Sequence, residues 1–307
     1  MKVIDGFVDR NIHYRWDNKT PPIEKVSSGE CISISIPDSS TKQIKKDHTT
    51  AELKRIDESM IDGIVGPIYV EEAKPGDTIK IAIKKIIPGN WGWTAIFSKF
   101  GLLGNMFDDR LIIWDIENGY AISATDGFLD EVKLPIKPFL GITGTAPSIG
   151  KYPVIPPQHF GGNMDNRYLS EGSVLYLPVG VEGAMVSFGD PHALQGDGEV
   201  CGSAIETSSD LNVEIEVLKE KKTRSPFIES TENEVGKVVV STGISLDIKS
   251  AVREAVINMI ESLMGNGYEE AEAYVLCSVM GKLHISEAVD MPNYLVSMSI
   301  NKDILFH

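Results

Sequence analysis

The segment Leu-Asn-Val-Glu-Ile-Glu-Val, residues Leu211–Val217, alternates aliphatic and polar side chains at every position. A period of two places successive side chains on opposite faces of a β-strand, so the aliphatic set faces a core and the polar set faces water. The segments Cys31–Ile36 and Thr78–Ile83 repeat the pattern with isoleucine. Together these segments predict antiparallel strands with one buried face.

Short apolar runs continue along the chain. They occupy Ser173–Val179, Lys237–Val240 and Tyr294–Ile300, and 28 glycines and 16 prolines are distributed around them. Such frequent turn residues are typical of an antiparallel β-sandwich or barrel. Two long glycine-rich segments, Gly101–Asp109 and Gly141–Asn166, are predicted to be loops, which commonly hold functional residues on a β scaffold.

The last part of the chain has a helical periodicity. Apolar residues recur every three or four positions in Leu246–Gly265, which predicts an amphipathic helix, and Tyr268–Met280 predicts a second helix. We therefore predict a mostly β, α+β fold with an antiparallel β-sandwich or barrel-like core and a C-terminal helical portion. Residues 1–220 are predicted to form the β-rich catalytic core, and residues 221–307 an α+β portion packed on it.

Composition excludes several classes of protein. The 307 residues carry a net charge of −15, which repels phosphate backbones and anionic lipids, so we expect neither nucleic acid nor a membrane as partner. No apolar run approaches the ~18 residues of a membrane-spanning helix, and the first residues do not resemble a signal peptide. The three cysteines form no C-x-x-C pair, which argues against disulfides and favours a cytoplasmic location.

Two segments combine histidine, carboxylates and glycine, and both are predicted to be loops between strands. The first is Pro156–Asp165 and the second is Gly189–Glu199. Imidazole and carboxylate are ligands that suit a divalent metal such as zinc, which needs three protein ligands and an open position for catalysis. Within ten residues the second segment holds four candidate groups: Asp190, His192, Asp197 and Glu199.

Other interpretations of the chemistry remain open. Cys201 is a candidate thiol nucleophile for a mechanism without a metal, or simply a small buried side chain. The two tryptophans of Trp91-Gly92-Trp93 are candidates for an active-site wall or for the core. A third alternative is a non-catalytic binding protein stabilised by calcium, which an excess of carboxylates would suit.

The sequence resembles the acetamidase/formamidase family from about His13 to Glu206, and more loosely beyond. The matching stretches are His13–Asn18, Gly66–Glu71, Pro75–Asp77, Trp91–Trp93, Gly161–Asp165, Leu175–Val179, Gly189–Glu199 and Cys201–Gly202. The resemblance implies a mostly β fold, hydrolysis of formamide, acetamide or a similar short amide to carboxylate and ammonia, dependence on zinc or calcium, and a homodimer.

The resemblance also suggests a role for individual residues. We expect His159, Asp165 and His192 to bind the metal, with Asp190 as a fourth ligand or as the group that orients a histidine. Glu199 is the expected general base and acid. Substrate contacts are expected from two tryptophans and two glycines: Trp91, Trp93, Gly161 and Gly162.

Overall fold

A computed structural model of the chain describes residues 1–231 and 236–305. Its strands are β1 (Lys2–Asp5), β2 (Ile12–His13), β3 (Arg15–Asp17), β4 (Glu24–Val26), β5 (Glu30–Ile36), β6 (Ile64–Val70), β7 (Thr78–Pro88), β8 (Trp91–Ile96), β9 (Arg110–Glu117), β10 (Tyr120–Ser123), β11 (Lys133–Pro135), β12 (Phe139–Gly144), β13 (Lys151–Pro153), β14 (Gly161–Asn163), β15 (Val174–Pro178), β16 (Val186–Leu194), β17 (Ile205–Glu206), β18 (Ser209–Leu218), β19 (Phe227–Ser230), β20 (Val238–Ser245), β21 (Lys282–Glu287) and β22 (Tyr294–Asn301). The helices are α1 (Ile248–Gly265), α2 (Glu270–Met280) and α3 (Lys302–Leu305), with short 3₁₀ helices at Asp9–Asn11, Thr50–Arg55 and Glu58–Met60.

The strands form two large sheets. A nine-stranded sheet has the order β1-β5-β18-β7-β15-β19-β20-β22-β21. An eleven-stranded sheet has the order β11-β10-β9-β8-β17-β16-β12-β14, with β6 pairing with β16, β2 and β4, and β13 pairs separately with β3. Most neighbours are antiparallel, while β1 with β5 and β4 with β6 are parallel. This mostly β architecture confirms the predicted fold class.

The main hydrophobic core lies between the two sheets. Its buried side chains come from the alternating positions of β5, β7 and β18 on one side and from β6, β12 and β16 on the other. The members from these strands include Ile32, Ile34, Ile36, Ile79, Ile81, Ile83, Leu211, Val213, Ile215, Val65, Ile68, Leu140, Val186 and Phe188. Full burial of one such side chain contributes roughly 1.5–3 kcal/mol, so this layer is the principal stabilising element of the fold.

The C-terminal helices cover the far end of the nine-stranded sheet. On α1 the buried residues Ala251, Ala255, Met259 and Leu263 recur every four positions and pack on β20 and β22. Close packing needs Gly243 on β20, because a Cβ there would lie 2.0 Å from the carbonyl oxygen of Ala251.

Strands after residue 220 extend the same nine-stranded sheet that begins with β1 and β5. The division of the chain at residue 220 stays a prediction. None of the helices in residues 1–231 and 236–305 has the length and apolarity that crossing a bilayer requires.

Two predicted loops proved to be partly strand. The segment Gly141–Asn166 contains the end of β12 and all of β13 and β14. Residues 189–194 of the second predicted loop, Gly189–Glu199, belong to the buried strand β16, so the prediction was wrong there, whereas residues 195–199 lie outside the strands. Polar residues obscured the strand pattern there, because these side chains are buried among one another and not in the apolar core.

Candidate metal centre and active site

Strand β16 supplies a histidine and a carboxylate that contact each other. His192 and Asp190 are two positions apart, and Nε2 of His192 lies 3.0 Å from Oδ1 of Asp190. Both side chains are almost fully buried. The ring of Phe139 on the neighbouring strand β12 packs edge-on against the imidazole, with ring centroids 5.0 Å apart. Packing and the carboxylate together fix the orientation of the His192 ring.

Asp165 reaches the same place from the segment that follows β14. Its Oδ1 lies 3.7 Å from Nδ1 of His192. The side chain of Gln195 donates to the backbone carbonyl of Asp165 over 3.1 Å, which anchors this turn to the end of β16. The sequence-predicted residues Asp165, Asp190 and His192 are therefore brought together, with ligand atoms within 4.8 Å of one another.

A glycine makes this convergence possible. A Cβ at Gly141 on β12 would lie 2.3 Å from Oδ2 of Asp190 and 2.7 Å from Oδ1 of Asp165. Any larger residue would occupy the space in which the two carboxylates meet. Gly141 thus leaves a small cradle between the candidate ligands.

The backbone of the candidate residues is strained. Asp165, Asp190 and Glu199 have positive φ angles of 43°, 54° and 43°, in the left-handed region that L-residues rarely adopt. Each such conformation costs on the order of 1 kcal/mol or more and persists only where the surrounding structure imposes it. All three side chains are thereby directed into one buried cluster.

Glu206 completes the surroundings of the histidine. This residue on β17 places Oε2 3.1 Å from Nε2 of His192. It also accepts hydrogen bonds from the hydroxyl of Ser39, at 2.7 Å, and from the backbone N–H of Ala204, at 2.7 Å. Burial opposes ionisation of this carboxyl, but the adjacent imidazole and hydrogen bonds with Asp190 and Ser39 hold its pKa below the usual value.

Several buried polar atoms in this cluster have no hydrogen-bond partner in the described part of the chain. They are Oδ1 and Oδ2 of Asp165, Nδ1 of His192 and Oε2 of Glu287. A buried polar atom without a partner costs about 1–3 kcal/mol, and more when it is charged. Carboxylate oxygens and an imidazole nitrogen that face each other, buried and without hydrogen-bond partners, have the arrangement and the donor chemistry of a divalent metal site.

The cluster also has a large excess of negative groups. Eight buried acids surround one another: Asp38, Asp62, Asp165, Asp190, Glu199, Glu206, Glu287 and Asp290. Among the buried residues that the structure describes, His192 is the one basic side chain. Burial, with mutual repulsion, raises the pKa of Asp165 and of Glu199 well above the usual values and that of Asp190 to about 7. A bound cation would neutralise this repulsion.

A second group of candidate ligands adjoins the first. Asp165, Glu199, Glu287 and Asp290 bring carboxylate oxygens within 4.8 Å of one another. Backbone N–H groups hold Glu287, since Asp290 donates to its Oε1 at 2.8 Å. The group contains oxygen ligands alone, whereas the group around His192 offers nitrogen and oxygen. The two sets therefore suit metals of different hardness.

The acidic cluster forms one end of a cavity of about 570 Å³. Carboxylates on its wall include those of Asp190, Glu199, Glu206 and Asp290. Trp93 also lines the cavity, and its indole N–H donates to Oδ1 of the buried Asp38 over 3.0 Å. Of Asp165, Asp190 and His192, Asp190 lines the cavity, so a substrate entering it would reach the cluster at this carboxylate.

The structure does not bring His159 to this cluster. Its side chain is 53% exposed and lies 2.8 Å from Oε1 of Glu254 on α1. It belongs to none of the three groups of candidate metal ligands among the described residues. The expectation that His159 binds the metal is therefore revised: it ties the turn before β14 to a helix.

The expected substrate contacts divide in a similar way. Trp93 lines the main cavity, whereas Trp91 lines a smaller space of about 230 Å³ beside it. Gly161 and Gly162 are buried in β14, where they pair with β12, and they do not line the main cavity. The next residue of β14, Asn163, does line it. Asp197 is directed away from the cluster and pairs with Arg167 at 2.9 Å.

Sequence reasoning missed part of the site. Glu206, Asp62, Glu287 and Asp290 belong to the buried acidic group but were not among the predicted residues. A signal did exist for two of them, because Glu287 and Asp290 flank the apolar pair Ala288–Val289. Acids in so apolar a setting are rarely buried unless they are paired or bind a metal.

Comparisons with known proteins agree with this architecture. The family model described as the acetamidase/formamidase family matches residues 7–152 and 151–307. A predicted acetamidase/formamidase from Thermoanaerobacter tengcongensis superimposes with a TM-score of 0.88, is 30% identical and covers 99% of this chain and 96% of its own. An acetamidase from Bacillus halodurans also has a TM-score of 0.88, at 26% identity, with coverage of 97% and 96%. The formamidase of Methylophilus methylotrophus is 27% identical over 96% of this chain and 90% of its own length.

Fold and site together define a two-sheet β protein with a buried acidic and imidazole centre at the end of a cavity. The chain belongs to the acetamidase/formamidase family. It is a hydrolase of the carbon–nitrogen bond of amides.

Proposed function

We propose that the chain hydrolyses a short amide to a carboxylate and ammonia with a divalent metal held by Asp165, Asp190 and His192. The observation that carries this proposal is the set of buried, unpartnered atoms of Asp165 and His192 beside Asp190, whose side chain lines the cavity. These atoms are close enough to share one ion. They are also too costly to leave unsatisfied unless the site serves a purpose.

Zinc is the proposed metal, because three nitrogen and oxygen ligands with one side open to a cavity suit it, while calcium fits the oxygen-only group better. When bound, a zinc ion supplies Lewis acidity that polarises a carbonyl and makes water a stronger acid. The donor set of Asp165, Asp190 and His192 is compatible with this chemistry, since the two atoms without partners, Nδ1 and Oδ1, face each other.

The protein's own groups position the imidazole. Asp190 and Glu206 both lie within 3.1 Å of Nε2 of His192, so this nitrogen carries the proton and donates it to a carboxylate. With a metal bound, Nδ1 would provide the lone pair of the ring on the side that faces Asp165. Holding one ring nitrogen with a carboxylate fixes the tautomer and increases the basicity of the other nitrogen.

Glu199 is proposed as the group that transfers the proton. It lines the cavity and lies within reach of both His192 and Asp165. We propose that its carboxylate takes a proton from the attacking water as the C–O bond forms. It then delivers this proton to the amide nitrogen as the C–N bond breaks and ammonia leaves. Asn163, whose amide donates to Asp290 over 2.5 Å, borders the same space.

The proposal is tested by assaying ammonia release from formamide, acetamide and longer amides before and after metal removal. We expect a chelator to abolish activity and zinc to restore it. Activity that survives chelation but is lost on thiol alkylation would transfer catalysis to Cys201. Stabilisation of the fold by metal, without product from any amide, would identify a binding protein.

Homodimer formation and a cytoplasmic location remain parts of the proposal. Support for self-association comes from exposed apolar side chains on α2, namely Tyr274, Val275 and Val279. Light scattering on the purified protein tests it, and a monomer at micromolar concentration would contradict it.

A further inference from the structure

The cavity is much larger than the smallest amides require. Formamide has three heavy atoms and fills roughly the space of two or three waters, on the order of 60–90 Å³. The cavity measures about 570 Å³, which lies within the usual range for sites that bind larger organic ligands. Most of the space therefore lies beyond the reacting amide group.

The space beyond the acidic end is lined by apolar side chains. These side chains, which we call the apolar wall, are Leu53, Ile56, Trp93, Phe97, Phe100 and Ile155. They come from the 3₁₀ helix Thr50–Arg55, from β8 and the segment after it, and from the segment after β13. Because one end of the cavity is polar and the other apolar, a substrate would bind in one orientation, with its amide at the acidic end and its substituent at the apolar end.

Packing behind the wall makes it a preformed surface. Leu53 and Trp93 are buried in a hydrophobic cluster with Leu111 and Ile113 of β9, and Ile56 and Phe97 pack against that cluster. The indole N–H of Trp93 is held by Asp38. Because these side chains are fixed by the core, a ligand does not have to order them when it binds.

The rim of the cavity has no preference for charge. Lys54 and Lys99 lie at the opening together with Glu58 and Asp109. The carboxylate of Asp109 accepts a hydrogen bond from the backbone N–H of Ser98 over 2.8 Å, which orders the segment that carries Phe97 and Phe100. With two cations and two anions among these residues, neither a positively nor a negatively charged acyl group is favoured.

We infer that the preferred substrates are primary amides with an uncharged, apolar acyl group of about four to seven carbons, which the apolar wall binds while the acidic end holds the amide. This inference rests on the proposed amide hydrolysis and names its substrate class. Burial of each additional methylene improves binding by roughly fourfold. Part of that gain is lost where the wall is open to solvent, so from acetamide to hexanamide we expect kcat/KM to rise at least about thirtyfold.

The test compares kcat/KM for formamide, acetamide, butyramide and hexanamide with the zinc-loaded protein. A rise with chain length supports the inference. A flat or falling series overturns it and leaves the proposed function intact. Absence of turnover with every amide would remove the proposed function, and the inference with it.

A variant pair assigns the effect to the wall. Ile56→Trp fills space at a half-buried position, and we expect it to lower the ratio of hexanamide to acetamide activity at least tenfold. Ile87→Trp makes the same substitution at a half-exposed site on β7 that does not line the cavity, and should leave the ratio unchanged. Equal ratios in Ile56→Trp and the unmodified protein would overturn the assignment even if the chain-length series rises.

Discussion

Oδ1 of Asp165 lies 3.7 Å from Nδ1 of His192, and among the described residues neither atom has a hydrogen-bond partner. Asp165 lies in the segment after β14 and His192 on β16, 27 positions further along the chain. The exposed fraction of their side chains is 0% for Asp165 and 1% for His192. This pair is the centre of the proposed metal site, and the first prediction tests it.

Asp165→Asn should reduce bound zinc and lower kcat/KM at least 100-fold, because a neutral amide is a weaker ligand than a carboxylate. Burial raises the pKa of Asp165 in the metal-free protein, which destabilises the fold at pH values where the unfolded carboxyl is ionised. A neutral amide avoids this cost, so the metal-free variant should be more stable than the metal-free unmodified protein by about 1–2 kcal/mol at neutral pH. Urea unfolding with and without zinc measures both effects. Asp210→Asn, at an exposed position of β18, is the matched control. Undiminished zinc affinity in Asp165→Asn would contradict the assignment.

Gly141→Ala should abolish most activity, because its Cβ would overlap Oδ2 of Asp190 and Oδ1 of Asp165. Such overpacking typically costs about 1–3 kcal/mol of stability, and it would displace both proposed ligands. Thermal unfolding, zinc analysis and the amide assay provide the readouts. Gly265→Ala is the control, since a Cβ at this helical position meets nothing within 4 Å and should change stability by less than about 1 kcal/mol. Full activity in Gly141→Ala would show that the cradle is not required.

Cys201→Ala should retain kcat/KM within about threefold. The thiol of Cys201 donates to the carbonyl oxygen of Ser203 over 3.4 Å, an arrangement that does not activate it as a nucleophile. Alkylation of the unmodified protein checks the same point independently. A loss of 100-fold or more on either treatment would favour the metal-free thiol mechanism.

His159→Gln should keep its bound zinc and its activity within a few-fold. The hydrogen bond to Glu254 raises the pKa of His159. This pairing therefore stabilises the folded protein fully at pH values below the pKa of the histidine in the unfolded chain. The stabilisation is lost as pH rises through the pKa of the histidine in the folded protein. The variant should thus lose stability mainly at acidic pH. Zinc content by elemental analysis and unfolding at pH 5.5 and 8 measure the two effects. Loss of zinc would restore His159 as a ligand.

His13→Gln should weaken the acid sensitivity of folding. Burial lowers the pKa of His13 to about 4, while Nδ1 lies 2.8 Å from the carbonyl oxygen of Arg15 and Nε2 lies 2.9 Å from the hydroxyl of Ser187. Between pH ~6.5 and 4 the His13 imidazole is protonated in the unfolded chain but not in the folded protein, so stability falls as pH falls. The variant lacks this loss, which is about 2 kcal/mol between pH 7 and 4.5.

The His13 experiment compares the change in unfolding free energy between pH 7 and 4.5 in the variant with the same change in the unmodified protein. Titration of the acidic cluster contributes equally to both changes and cancels. Unfolding free energies of both proteins are measured at pH 7 and 4.5. Glutamine also removes the two hydrogen bonds of the imidazole, so the variant should be less stable at pH 7. An unchanged pH 7 to 4.5 difference would show that His13 is protonated in the folded state.

Much of the fold was predictable from local patterns. Alternation in Leu211–Val217 predicted β18, and the four-residue spacing of apolar positions predicted α1, because each element buries one face. The pattern failed in β16, where nearly every residue is buried and the polar ones face a polar centre. Periodicity detects an apolar core, and it does not detect a buried cluster of charges.

Local chemistry was likewise enough to single out Asp165, Asp190, His192 and Glu199, since residues of metal-ligand type lie close together in the chain among glycines. The same reasoning chose His159, which has the right chemistry and the right neighbourhood in sequence but points to α1. Sequence proximity places a residue near the site. The direction of its side chain depends on strand register and backbone twist.

Amino-acid order alone therefore determined the fold class and the family and predicted where the candidate site lies, because periodicity and motif spacing are local properties. Tertiary contacts determined which carboxylates join the centre. Glu206 arrives on β17 beside His192, and Glu287 arrives on β21, whose end bridges to Gly198. Such long-range pairings bury acidic groups together at a cost that no local pattern records, and the proposed cation would offset that cost.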